Sequence, residues 1–138
     1  MKESTWNNCI ENNSAVKISP DRARAKSLME TSSERIKSVS NINEKNCNFV
    51  FEDWYTSILE LLQALVLREG YKIMNHVCLG YYIRDILKRE DLYVLFDDIR
   101  YKRNSLTYYG KRMDFDTARE SIKKCQKLMK NIKELLKV

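Results

Sequence analysis

The clearest periodic pattern in the chain lies near its end, where Ala118, Ile122, Cys125, Met129, Ile132 and Leu136 follow at spacings of 4, 3, 4, 3 and 4 residues. That stripe predicts a helix packed along one face, with Asp114 or Asp116 as its cap. A broader apolar set, Trp54, Tyr55, Ile58, Leu61, Leu62, Leu65 and Val66, predicts a core helix from about Phe49 to Glu69, closed by Gly70. Its breadth implies neighbours on more than one side. Upstream, Ser19-Pro20-Asp21 reads as a helix start, with Ser19 as cap and Pro20 at the first helical position. That helix is expected to run to about Val39, with Ala25, Leu28 or Met29, Ser32, Ile36 and Val39 facing inward and the small residues allowing close approach. A further helical region runs from Asn75 through Val77, Leu79, Tyr81, Tyr82, Ile86 and Leu87. The polar run Lys88-Arg-Glu-Asp91 bends or breaks it, and a shorter helix from Leu92 to about Asn104 follows.

The 138 residues include one Pro and three Gly, too few for the frequent turns of an all-β fold. The expected fold is therefore all-α, an up-and-down bundle of four to five helices over residues 18–138. Residues 1–17, rich in Asn and with only Trp6, Ile10 and Val16 as scattered apolar positions, read as a flexible or loosely docked tail. No internal repeat and no glycine-rich phosphate loop is present.

A net charge of +6 favours acidic partners such as nucleic acid, although the basic residues are spread along the chain. Cys9, Cys47, Cys78 and Cys125 lie 38, 31 and 47 residues apart, and the single histidine cannot complete a zinc-finger pattern. No metal and no cofactor is expected. The first residues lack the apolar core of a signal peptide, and the longest apolar-rich stretch, Ile58 to Leu67, is interrupted by Glu60 and Gln63. These features read as a cytoplasmic protein without a membrane partner and with reduced thiols. Cys125 reads as a small core residue. His76 reads as structural, capping its helix or filling a polar niche near Tyr71. The helical rise puts it well away from Arg103 unless the bend at Lys88 to Asp91 folds the chain back.

The densest chemistry lies in Arg100-Tyr-Lys-Arg-Asn-Ser-Leu-Thr-Tyr-Tyr-Gly110. Arg100 and Arg103 offer planar donor forks suited to phosphate, and Asn104, Tyr108 and Tyr109 add an amide, hydroxyls and stacking faces. The same residues also fit a solvated basic helix end whose tyrosines are half-buried as packing.

Arg103-Asn104-Ser-Leu-Thr-Tyr108, at the entry to the last helix of such a bundle, resembles the motif of the HEPN domain superfamily: an Arg, a polar residue, about three more positions and a His. The likeness covers about residues 19–137, and Tyr55 to Gly70 followed by Tyr71-Lys72 and Asn75-His76 looks like the second-helix end and turn of small prokaryotic members. The resemblance implies a homodimer whose two motifs meet in a cleft. It also implies RNA or nucleotide as ligand and a toxin–antitoxin, defence or RNA-processing setting, and several such proteins are encoded beside a minimal nucleotidyltransferase. Carried onto this chain, Arg103 would hold an RNA phosphate, Asn104 would orient the site and Arg100 would add charge one turn earlier.

Tyr108 stands where the motif has its histidine. A phenol with a pKa near ~10 is a poor general base at neutral pH compared with an imidazole near ~6.5, but it donates a hydrogen bond and stacks. The first expectation is therefore phosphate binding through Arg100, Arg103, Asn104, Tyr108 and Tyr109, with weak or no hydrolysis. One alternative is a metal-independent ribonuclease using Arg103 and Tyr108 as catalytic residues. Another is an interaction partner of a nucleotidyltransferase, with Tyr108 or Tyr109 accepting a nucleotide group, and the plainest is a purely structural bundle.

Overall fold

The computed structural model describes residues 3–138. Its elements are α1 (Trp6–Glu11), β1 (Ala15–Lys17), α2 (Arg22–Lys37), α3 (Cys47–Arg68), β2 (Tyr71–Ile73), α4 (His76–Tyr81) continuing into a π-turn (Tyr82–Ile86), α5 (Glu90–Tyr109) and α6 (Phe115–Leu136). The molecule is mostly helical, as the sparse turn residues require.

Backbone and side-chain ties fix the directions of the four long helices. The Asp21 amide donates to the Leu67 carbonyl at 3.0 Å and Arg35 pairs with Glu60 at 2.9 Å, so α2 and α3 are antiparallel. Asn48 exchanges two hydrogen bonds with the Met113 backbone, and Arg68 donates to the Leu135 and Leu136 carbonyls, so α3 and α6 run parallel. Arg68 thereby satisfies carbonyls that the end of α6 leaves without helical donors. Lys124 reaches Asp98, and Arg89 reaches Asn131, so α5 and α6 are antiparallel.

Helix α3 is the spine, burying Phe51, Tyr55, Ile58, Leu61, Leu62, Leu65 and Val66. Its small residues let α2 come close: Ser32 Oγ donates to the Ser57 carbonyl at 2.9 Å, and Ala25 and Ala64 are buried on the same seam. The α6 stripe expected from periodicity, Ala118 to Leu136, is buried throughout. Helix α2 starts two residues later than expected because the Asp21 carboxylate, not Ser19, caps it by accepting from the Arg24 amide at 3.0 Å.

Three expectations need correction. The segment read as a tail folds onto the body from Trp6 to Lys17. Trp6 is buried with its ring edge-on to Tyr71 and Tyr82, and β1 pairs antiparallel with β2, Ala15 opposite Ile73. Residues 1 and 2 lie outside the described residues. The reduced state expected of all four thiols also fails, since Cys9 and Cys78 form a disulfide while Cys47 and Cys125 are free and buried. Finally, the α5 helix does not end near Asn104 but runs to Tyr109, so Arg103 to Tyr108 form its last turns rather than a loop.

The chain reverses between the π-turn and α5 at Lys88, whose φ of 57° puts a lysine in the left-handed region that usually takes glycine. Among the described residues no helix is long and apolar enough to cross a membrane.

Candidate functional site

The reversal at Lys88 brings the first turn of α4 back beside the second half of α5. Asn75 starts α4 by accepting from the Cys78 amide at 2.8 Å, which sets His76 as the first helical residue. Three further ties hold α4 and the π-turn in place: the Cys9–Cys78 disulfide, the Trp6 amide donating to Asp85 at 2.8 Å, and the Tyr81 hydroxyl donating to the Glu3 carbonyl. The N-terminal segment is therefore the brace behind His76.

The imidazole Nδ1 lies 3.0 Å from the hydroxyl of Tyr55, which rises from the middle of α3. The Tyr55 ring is buried and stacks on Phe96 of α5, centroids 6.2 Å apart and 11° from parallel. Burial pushes its phenol well above the ordinary value, against partial opposition from the Arg103 and Arg100 charges. Tyr55 is thus a neutral hydroxyl at the floor of the site.

Arg103 lies above that floor, its guanidinium carbon 5.6 Å from the Tyr55 ring centroid and 5.9 Å from that of Tyr108. It makes no ion pair among the described residues, so its donor fork is open to an anion. Arg100, three residues earlier, pairs with Asp97 at 2.8 Å and keeps part of its charge for its own helix. Burial first, then the charges of Arg103 and Arg100, hold the His76 imidazole below the usual histidine range. The ring is therefore neutral near pH 7, with its second nitrogen unpaired among the described residues.

The five residues singled out from sequence divide by helix face. Arg100, Asn104 and Tyr108 form an i, i+4 row, and Arg103 lies beside it on the inward flank. Tyr108 joins the cluster through Arg103, although the residue is 67% exposed. Asn104 is half-buried and makes no side-chain hydrogen bond among the described residues. Tyr109, 82% exposed, makes no ring contact with Arg103 among the described residues. Sequence reasoning missed two members, Tyr55 and His76. The turn at Lys88 supplies the fold-back on which an approach of His76 to Arg103 depended, and both meet the Tyr55 side chain.

An open guanidinium, a neutral imidazole and a buried phenol meet where α3, α4 and α5 converge. This combination can bind a phosphate and exchange a proton with a group beside it. Among the described residues no three His, Cys, Asp or Glu side chains gather as a metal-binding group. No family model matches the chain, and no match was found among curated proteins or among solved structures.

Proposed function

We propose that this protein binds RNA or nucleotide phosphates through Arg103, supported by Arg100 and His76, as a HEPN-like homodimeric domain of a defence, toxin–antitoxin or RNA-processing system. The observation that carries this reading is the state of Arg103: an arginine without a carboxylate partner among the described residues, held over the rings of Tyr55 and Tyr108, the first of which also meets a neutral histidine. Arginines that serve only the fold normally find a carboxylate or a carbonyl, as Arg35, Arg68 and Arg84 do in this chain. Stacking on Tyr55 and Tyr108 fixes the fork without consuming its hydrogen bonds.

A second reading, metal-independent RNA cleavage, is favoured by His76. A phenol is a poor general base at neutral pH, but His76 brings an imidazole from another helix to the Tyr55 ring that also carries Arg103. In such a reaction His76 accepts the proton of a ribose 2′-hydroxyl as its oxygen attacks the adjacent phosphorus. Arg103 stabilises the extra negative charge, and the 5′-oxygen leaves with a proton drawn from solvent or Tyr108. The depressed basicity of His76 limits the rate, in keeping with weak hydrolysis.

The test is gel retardation and cleavage of end-labelled RNA without added metal, with Arg103→Ala, His76→Ala and Tyr108→Phe alongside. Binding lost in Arg103→Ala supports the reading, and cleavage lost in His76→Ala with binding retained supports the second one. Binding that survives Arg103→Ala unchanged contradicts both.

A further inference from the structure

The opposite flank of α5 carries a second cluster that the His76 site does not use. A cleft of about 290 Å³ opens between the last turns of α5 and the first turn of α6, lined in part by Tyr101, Lys102, Lys111 and Arg112. Lys111 and Arg112 are exposed and make no ion pair among the described residues. Lys102 shares Asp98 with Lys124, each at 2.9 Å, so one carboxylate faces two amines. The one acidic residue in the cleft lining, Asp114, is engaged as the α6 cap, accepting from the Thr117 amide at 2.8 Å. The cleft is therefore net basic.

Tyr101, in the cleft lining, is 67% exposed, and two further rings later on the same helix are also left in solvent, Tyr108 at 67% and Tyr109 at 82%. Tyr101 and Tyr108 are seven residues apart on one stripe of α5, about 10 Å along the axis. Gly110, with φ of 62° and open space where a β-carbon would sit, ends α5 and turns the chain away. Tyr108 also contacts Arg103, so the exposed rings lead from the His76 site to the basic cleft.

We propose that this cleft and its tyrosines hold a single-stranded stretch of nucleic acid flanking the phosphate at Arg103. Lys111, Arg112 and Lys102 take backbone phosphates while Tyr101 and Tyr109 stack on bases. The inference deepens the RNA-binding reading and rests on it. Charge complementarity selects a polyanion, and the uncovered rings select one with free aromatic faces. A duplex keeps those faces stacked inside, and a polyglutamate chain has none to offer.

Fluorescence anisotropy tests this with labelled oligouridine of roughly twelve nucleotides and with labelled uridine monophosphate. The proteins are wild type, Tyr101→Ala/Tyr109→Ala, Lys111→Ala/Arg112→Ala and Arg103→Ala. All four cleft positions are exposed, so their variants fold. Each cleft variant should weaken the oligomer about tenfold or more and leave the mononucleotide unchanged. The Lys111→Ala/Arg112→Ala protein should also lose about 1.4 from the slope of log affinity against log salt. Oligomer affinity within about twofold of wild type in both cleft variants overturns the inference, as does equally tight binding of duplex RNA or polyglutamate. If the cleft variants weaken binding while Arg103→Ala does not, the cleft stands and the Arg103 reading falls; the reverse pattern keeps Arg103 and removes the cleft.

Discussion

The hydroxyl of Tyr55 lies 3.0 Å from Nδ1 of His76, joining the middle of the core helix α3 to the first residue of the short helix α4. The Tyr55 ring also carries Arg103 on one face and stacks on Phe96. One buried side chain therefore sets the positions of both groups assigned to the phosphate site. Rigid support of this kind keeps a binding constellation in register without a ligand.

Tyr55→Phe keeps the stacking but removes the hydroxyl. It should cost about 1 kcal/mol in denaturant unfolding. It should also weaken nucleotide binding less than Arg103→Ala does, because it frees the imidazole without removing the anion's partner.

His76 gives the stability a defined pH dependence. Its folded pKa lies below the unfolded value near ~6.5, so between the two the unfolded chain binds more protons. Stability is then complete above about pH 6.5 and falls as pH drops through the folded pKa. Denaturation midpoints measured across this range should decline on the acid side, and the decline should be shallower in His76→Gln. An identical slope in the variant contradicts the neutral, half-buried imidazole.

Closing a loop between residues 69 apart, the Cys9–Cys78 bond should contribute about 2–4 kcal/mol. Cys9→Ser/Cys78→Ser should lower the unfolding midpoint and speed proteolysis near Asn12 to Ser14, between α1 and β1. Peptide mapping of the non-reduced protein should recover Cys9 linked to Cys78, with Cys47 and Cys125 labelled only after denaturation.

Two glycines separate strain from crowding. Gly70 has φ of 91°, and a β-carbon there would come within 3.0 Å of the Ile18 carbonyl oxygen, whereas Gly110 has φ of 62° in open space. Gly70→Ala should therefore destabilise by more than about 1 kcal/mol, and Gly110→Ala by about 1 kcal/mol or less. Thermal melts of the two variants give the order directly.

Legibility in the sequence followed the range of the interactions involved. The α6 stripe and the α3 core were readable because each depends on spacing within one helix. The outer half of the site, Arg100 and Arg103, was readable for the same reason, as donors one turn apart on α5. The place of His76 was legible only as a condition, a fold-back at Lys88 to Asp91, which spacing along the chain could not decide. The reversal depends on Lys88 adopting a left-handed conformation that lysine composition does not announce. Residues 6–17 were misjudged because three scattered apolar residues show no period. What holds them is the deep burial of Trp6, a disulfide to a distant cysteine and pairing with β2, all tertiary events. The extension of α5 to Tyr109 was missed because no cap marks its end before Gly110, and polar aromatic residues read equally well as loop.

The most direct measurement uses the fact that the chain has one histidine, so its imidazole carbon-bound protons give one identifiable set of NMR signals. Titrating single-stranded RNA into the protein should shift those signals and raise the apparent pKa of His76, because a phosphate bound at Arg103 adds negative charge beside the ring. The shift should disappear in Arg103→Ala. Signals that stay fixed while RNA binds, with an unchanged pKa, would contradict the claim that Arg103 and His76 form the phosphate site.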